Sequence, residues 1–190
     1  MRTEQIIYDN LLNMMETTPY TKIKVSDFVK CAGISRSSFY FYFSSIEAAV
    51  DQMEDDFVSL MPDPAVTASN LASKPADCTY DFIKQCNAKV EKKLRVFRIL
   101  SSPNGSPNFQ RKLCERVRQI NALFYGAANT DLFMDFLSEY YAGAQWGMYC
   151  WWARHEGEVS LAEINEFASR IPTSLSDLTA VKSPEGRRKR

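Results

Sequence analysis

Histidine is nearly missing from this chain: His155 is the only one in 190 residues. No pair among Cys31, Cys78, Cys86, Cys114 and Cys150 has the spacing of zinc ligands. A metal centre is therefore not expected. The odd number and wide scatter of the thiols exclude a disulfide framework, and the N-terminus has no leader-like pattern. The expected location is the cytoplasm, with thiols reduced. Net charge is absent as well, since 23 basic residues balance 23 acidic ones, so any case for nucleic acid must rest on local charge. No apolar run is long enough for a membrane. The longest, Tyr140 to Ala153 with Gln145 as its one interruption, falls short of the about 18 to 20 residues a span requires and reads as a buried helix. With no glycine-rich phosphate loop and no recognisable nucleophile motif, neither an enzyme nor a cofactor is expected.

Glycine (7) and proline (8) are also scarce, and they fall between apolar stretches, which favours long helices. At 45% hydrophobic residues the chain can build an ordinary core. The first helix is expected from Thr3 to about Thr17. Ile7, Leu11 and Met14 form its inner stripe, widened by Ile6, Leu12 and Met15, and Pro19 ends it. A short helix from about Val25 to Ala32 turns Phe28 and Val29 inward. Gly33 then supplies the left-handed residue that closes a helix, and Ser35 caps a third helix through Phe41. Ser44 and Glu47 have capping-box spacing and open a fourth helix to about Met61, closed by Pro62 and Pro64.

Residues 63–75 read as a connector. Helical patterns follow at about 76–91 and 92–100, then a loop from Ser101 to Pro107, then helices at about 108–126 and 131–155. Ser160 and Glu163 form a second capping box, starting a helix to about Ile171. The chain ends in a basic tail, Gly186 to Arg190. The fold class is all-α, with about nine helices. We divide it into a helix-turn-helix unit (1–46), a helical ligand-binding and dimerisation unit (47–178) and a disordered basic tail (179–190).

Two short helices joined through Gly33, between longer neighbours, have the layout of a helix-turn-helix. The second helix of that motif lies in the major groove of double-stranded DNA. Ser35 opens that helix here. Arg36 can give a bidentate pair of hydrogen bonds to guanine, and Ser37 and Ser38 can reach bases or phosphates. Tyr40 and Tyr42 can each present a hydroxyl to phosphate, Phe41 can cover a thymine methyl, and Phe39 and Phe43 pin the helix to the core. Between Tyr20 and Ile46, four basic residues (Lys22, Lys24, Lys30 and Arg36) face one acid, Asp27.

The stretch from Ile23 to Phe43, IKVSDFVKCAGISRSSFYFYF, resembles the signature of TetR-family regulators. The resemblance is specific over about residues 5 to 60. Beyond them only the number and length of the helices and a Trp-rich late helix are similar. It implies base contacts from Arg36, Ser37 and Phe41, and phosphate contacts from Ser38, Tyr40 and Tyr42. Two departures matter. Lys24 stands where a threonine usually caps the second helix, leaving Ser26 as a substitute cap and Lys24 as a phosphate contact. Ile46 stands where a lysine usually grips phosphate.

The helix at 131–155 is apolar nearly all round and must be covered on more than one side. Ala142, Gln145, Trp146, Tyr149 and Trp152 form one face, lining a cavity or packing as core. Leu137, Tyr141, Ala144, Met148 and Trp151 form the other, and Gly143 and Gly147 permit close approach by a second copy. A homodimer would read a palindromic operator, and the resemblance implies that the last two helices build it. Phe82, Cys86, Phe97, Phe124, Trp146 and Tyr149 either surround an apolar or aromatic small-molecule effector or are ordinary core. His155 is expected at the surface near a helix end. The resemblance implies that effector binding changes the separation of the two reading heads and releases the operator. The competing expectation, raised by Ile46 and the neutral overall charge, is a ligand-binding regulator with weak or lost DNA binding.

Overall fold

The computed structural model describes residues 2–64, 87–125 and 132–169. The fold is all-helical, and no strand occurs among the described residues. The helices are α1 (Arg2–Met15), α2 (Val25–Ala32), α3 (Arg36–Tyr42), α4 (Ile46–Val58), α5 (Leu94–Leu100), α6 (Pro107–Tyr125), α7 (Leu132–Arg154) and α8 (Leu161–Ser169). A 3-10 turn, Tyr20–Lys22, follows α1, and residues 87–91 are helical ahead of α5. No helix among the described residues is long and apolar enough to cross a membrane.

α1, α2 and α3 close around Ile7, Leu11, Met15, Phe28 and Phe39, all buried. The rings of Phe28 and Phe39 meet edge to face at 5.4 Å. Gly33 ends α2 with φ 64°, and the Ile34 amide donates to the Val29 carbonyl at 3.1 Å. A Cβ at Gly33 would meet nothing within 4 Å, so any substitution cost there is conformational. Gly33→Ala is expected to lower stability by about 1–2 kcal/mol, the left-handed penalty of an L-residue. Urea unfolding checks this, and an unchanged midpoint would mean that the turn relaxes into another geometry.

The elements differ from the sequence expectation in several places. α4 is capped by Ser45, whose Oγ accepts the Ala48 amide at 3.1 Å, and not by Ser44. Phe43 and Ile46 are both buried, so the two-residue link between them fixes where the helix starts. Ala48 then occupies the position where a box needs Glu, and no capping box forms. α1 stops at Met15 and α4 at Val58, each continuing as turns; the turns after α4 carry Leu60 and Met61. The turn at Tyr20–Lys22 was not anticipated. The helix expected from 92 begins at Leu94. The second capping box is present: Ser160 Oγ accepts the Glu163 amide at 3.2 Å, and Glu163 Oε2 accepts the Ser160 amide at 2.8 Å. The Ser160 amide and hydroxyl, both donating to the Glu163 carboxylate at 2.8 Å, hold it below the usual carboxylate range. The basic tail and the connector beyond 64 lie outside the described residues.

α4 joins the three-helix head to the rest. Phe57 meets Phe97 of α5 at 5.8 Å and Phe109 of α6 at 5.3 Å, extending the head's core into a body built on the α6–α7 pair. A second bridge is the loop at 101–106. Its Asn104 carbonyl accepts the Tyr20 amide at 3.0 Å, and its Asn104 side chain donates to the Glu16 carbonyl at 3.3 Å. Gly105 makes this loop possible, because a Cβ there would lie 2.0 Å from the Leu100 carbonyl oxygen.

Candidate nucleic-acid interface

α3 is short, capped and sided. Ser35 Oγ accepts the Ser38 amide at 3.0 Å and lies 2.8 Å from the hydroxyls of both Ser37 and Ser38. At the other end the Phe43 amide donates to Phe39. With 100° between residues, positions 39 and 43 share a face, as do 36 with 40 and 37 with 41. Phe39 and Phe43 are buried, as expected of the pair that pins the helix. Arg36, Ser37, Tyr40 and Phe41 form the opposite, exposed face, with Phe41 at 81% exposure. Ser38 and Tyr42 flank it, Ser38 half-buried and Tyr42 exposed. The Phe41 and Tyr42 rings meet edge to face at 5.1 Å. An aromatic residue this exposed, beside an arginine and two tyrosines, suits flat or apolar partner groups such as base edges.

Lys22, Lys24, Lys30 and Arg36 are all exposed, and α3 carries no acidic residue. The two departures from the TetR pattern have physical readings. Lys24 occupies the cap position of α2 without any side-chain cap bond, and the Ser26 hydroxyl is directed to the Asp27 carboxylate at 3.4 Å. The missing cap is thus not replaced, and the Lys24 ammonium is left to solvent. Ile46 is buried, so this position serves the core and offers nothing to phosphate.

In the body, Phe97, Trp146 and Tyr149 come together. Phe97 lies 5.6 Å from Trp146 and 5.8 Å from Tyr149, and all three pack in the core with Phe57 and Phe109. Phe82, Cys86 and the Phe124 side chain lie outside the described residues. Sequence reasoning missed Asn87. It is buried, and its side-chain oxygen accepts the Tyr149 hydroxyl at 2.7 Å; that hydroxyl in turn accepts from Gln145 at 2.9 Å. Gln145, the one polar break in a long apolar run, was the available signal.

On α7, Ala144 and Trp151 are exposed, Tyr141 and Met148 half-buried, and Leu137 buried. The open stripe also contains Leu132, Phe136 and Tyr140, with Phe167 exposed on α8. A Cβ at Gly143 or Gly147 would meet nothing within 4 Å. His155 directly follows α7, with Nδ1 2.8 Å from the Trp151 carbonyl and its ring stacked on Trp151 at 4.1 Å.

The chain is similar to helix-turn-helix regulators of transcription. Over 65 residues, 34% of its length, it is 45% identical to the HTH-type transcriptional regulator EthR of Mycobacterium tuberculosis. Over 55 residues it is 40% identical to the protein of the same name from Mycolicibacterium smegmatis. These matches span 29% and 25% of the two relatives, so the chain covers less than a third of either. Among solved structures, the dihydroxyacetone kinase operon activator DhaS shares the fold, with a TM-score of 0.59 over 95% of this chain and 98% of that one, at 18% identity. No family model matches. These relatives are regulators and not enzymes.

Proposed function

We propose that this chain is a TetR-type, sequence-specific DNA-binding regulator. It acts in the cytoplasm as a homodimeric repressor on a palindromic operator and is released by an apolar or aromatic small molecule. The observation that carries this reading is the sidedness of α3: Phe39 and Phe43 anchor it, while Arg36, Ser37, Tyr40 and Phe41 are presented outward on a capped helix. Such a helix fits the major groove, with Arg36 reading a guanine edge, Ser37 and Phe41 other base edges, and Ser38, Tyr40, Tyr42 and Lys24 reaching the backbone. The exposed stripe of α7 with Ala144 and Trp151, bordered by Tyr141 and Met148, supports pairing of two copies. The cluster of Phe97, Trp146 and Tyr149 supports an effector site for a flat or greasy molecule.

Arg36→Ala is expected to cost about 1–3 kcal/mol of specific binding and to relax base preference at one position in each half-site. The test is titration of a duplex selected from a random pool, and of its single-base variants, with both proteins. Unchanged affinity and selectivity would remove Arg36 from the readout.

The burial of Ile46 favours one second reading, a ligand-responsive regulator with weak DNA binding. The slope of log affinity against log salt on random duplex separates the two, because a protein that neutralises phosphates shows a steep negative slope and one that does not shows a slope near zero.

A further inference from the structure

Lys112 of α6 gathers the acidic face of α4. Its Nζ lies 2.6 Å from Asp51 Oδ1, 2.7 Å from Asp55 Oδ1 and 3.3 Å from Glu54 Oε2, and it donates to the Asp51 carbonyl at 3.1 Å. These acids occupy positions i, i+3 and i+4, one stripe of the helix, where like charges repel unless a cation stands among them. Glu54 is only 1% exposed, so its carboxylate, 3.3 Å from Lys112 Nζ, has little access to water. Burial pushes its carboxyl up from the usual range. Burial also works against the Lys112 charge, but the bonds to Asp51, Asp55 and Glu54 outweigh it and hold the ammonium protonated. Tyr20 and Glu47, with Ser106 and Asn108, line the adjoining cavity of about 230 Å³. One turn further along α6, Arg116 donates to the Pro62 carbonyl at 3.2 Å, just past the end of α4. Beyond the acids in the other direction, α4 begins at Ile46, and the link from α3 runs through Phe43. Phe43 and Ile46 belong to the same buried cluster as Phe39.

Beside the apolar contacts of Phe57, Lys112 is therefore the cation that ties α6 to the acidic stripe of the helix that follows the groove-reading element. We propose that Lys112 is a positioning residue: its grip on Asp51, Glu54 and Asp55 fixes α4, and through α4 sets how α3 is presented, without Lys112 touching DNA. This rests on the DNA-binding reading above. The head is also joined to the body by Phe57 against Phe97 and Phe109, by Asn104, and by Arg95, whose guanidinium bonds Glu16 and Asn13 at the end of α1, so losing Lys112 loosens the acidic stripe of α4 while α1 stays tethered.

The test uses the full chain and three variants. Lys112→Met alone leaves Glu54 buried without a counter-ion and is expected to lower stability. Lys112→Met with Glu54→Gln removes both charges together, a replacement that is often neutral or stabilising, so this protein should melt near the wild type. On the duplex selected by the wild type, the double variant is expected to bind more weakly by about 5- to 150-fold, the usual range for coupling between separate sites. Its salt slope should equal that of the wild type, since no phosphate contact is lost. Lys112→Arg should restore most of the affinity. Without DNA, the amides of residues 46–58 should exchange faster in the double variant, with those of α2 unchanged. A double variant that binds as tightly as the wild type, a salt slope shallower by about one, or unchanged exchange along α4 would each overturn the clamp. Failure of the wild type to select any duplex would overturn the DNA-binding reading instead, and amide exchange would still decide whether Lys112 holds α4.

Discussion

Phe39→Ala should cost about 3–5 kcal/mol of stability, whereas Phe41→Ala, two positions further along the same helix, should cost about 0.5 kcal/mol or less. Both remove the same ring, but the environments differ. Phe39 is fully buried and touches Phe28 at 5.4 Å and Phe43 at 6.2 Å, so truncation leaves a cavity under α3 that its neighbours cannot fill. Phe41 is 81% exposed and supports nothing beneath it. Its loss should appear in DNA affinity. Chemical denaturation followed by circular dichroism measures the first quantity, and titration of a selected duplex the second. A Phe41→Ala protein as unstable as Phe39→Ala would mean that α3 is turned the other way and that its aromatic face is core.

The second large effect is expected at the α7 stripe. Phe136→Glu combined with Tyr140→Glu should convert a dimer to a monomer and reduce operator affinity by about 10²–10⁴-fold, the loss when two linked half-site contacts become one. Both residues are exposed, at 61% and 56%, so charging them disturbs only their own stack at 6.5 Å and the edge contact of Tyr140 with Tyr141 at 5.7 Å inside one copy. Gly143 and Gly147 leave room along the same helix for close approach. Sedimentation of both proteins at equal concentration, with circular dichroism as a control for folding, provides the check. A double variant that still sediments as a dimer would move the interface to another face.

What could be read in the sequence was what neighbouring residues determine together. The turn at Gly33, the cap at Ser35 and the inward placement of Phe39 and Phe43 are set by residues within one helical turn of each other, and all four stand in the structure as expected. The box at Ser160 and Glu163 is equally local. Ser44 and Ser45 mark where this reasoning runs out: both are competent caps, and the choice was made by the burial of Ile46, a tertiary event. α7 failed for another reason. A helix that is apolar nearly all round has no phase to read, so Leu137 is expected on the open face although it is buried, while the exposed Leu132, Phe136 and Tyr140 are not picked out. Lys112 and its three acids left no sequence signal, because partners about sixty positions apart share no periodicity.

Every expectation about DNA affinity depends on α3 meeting DNA with its outward face, and guanine-N7 methylation interference on a duplex selected by the wild-type protein tests that most directly. The N7 atom lies in the major groove and is one of the two acceptors a bidentate arginine uses. Methylation at one guanine in each half-site should block the wild-type protein and leave Arg36→Ala indifferent at that position. Binding that tolerates N7 methylation throughout the site would place the contact outside the major groove and contradict the assignment of α3.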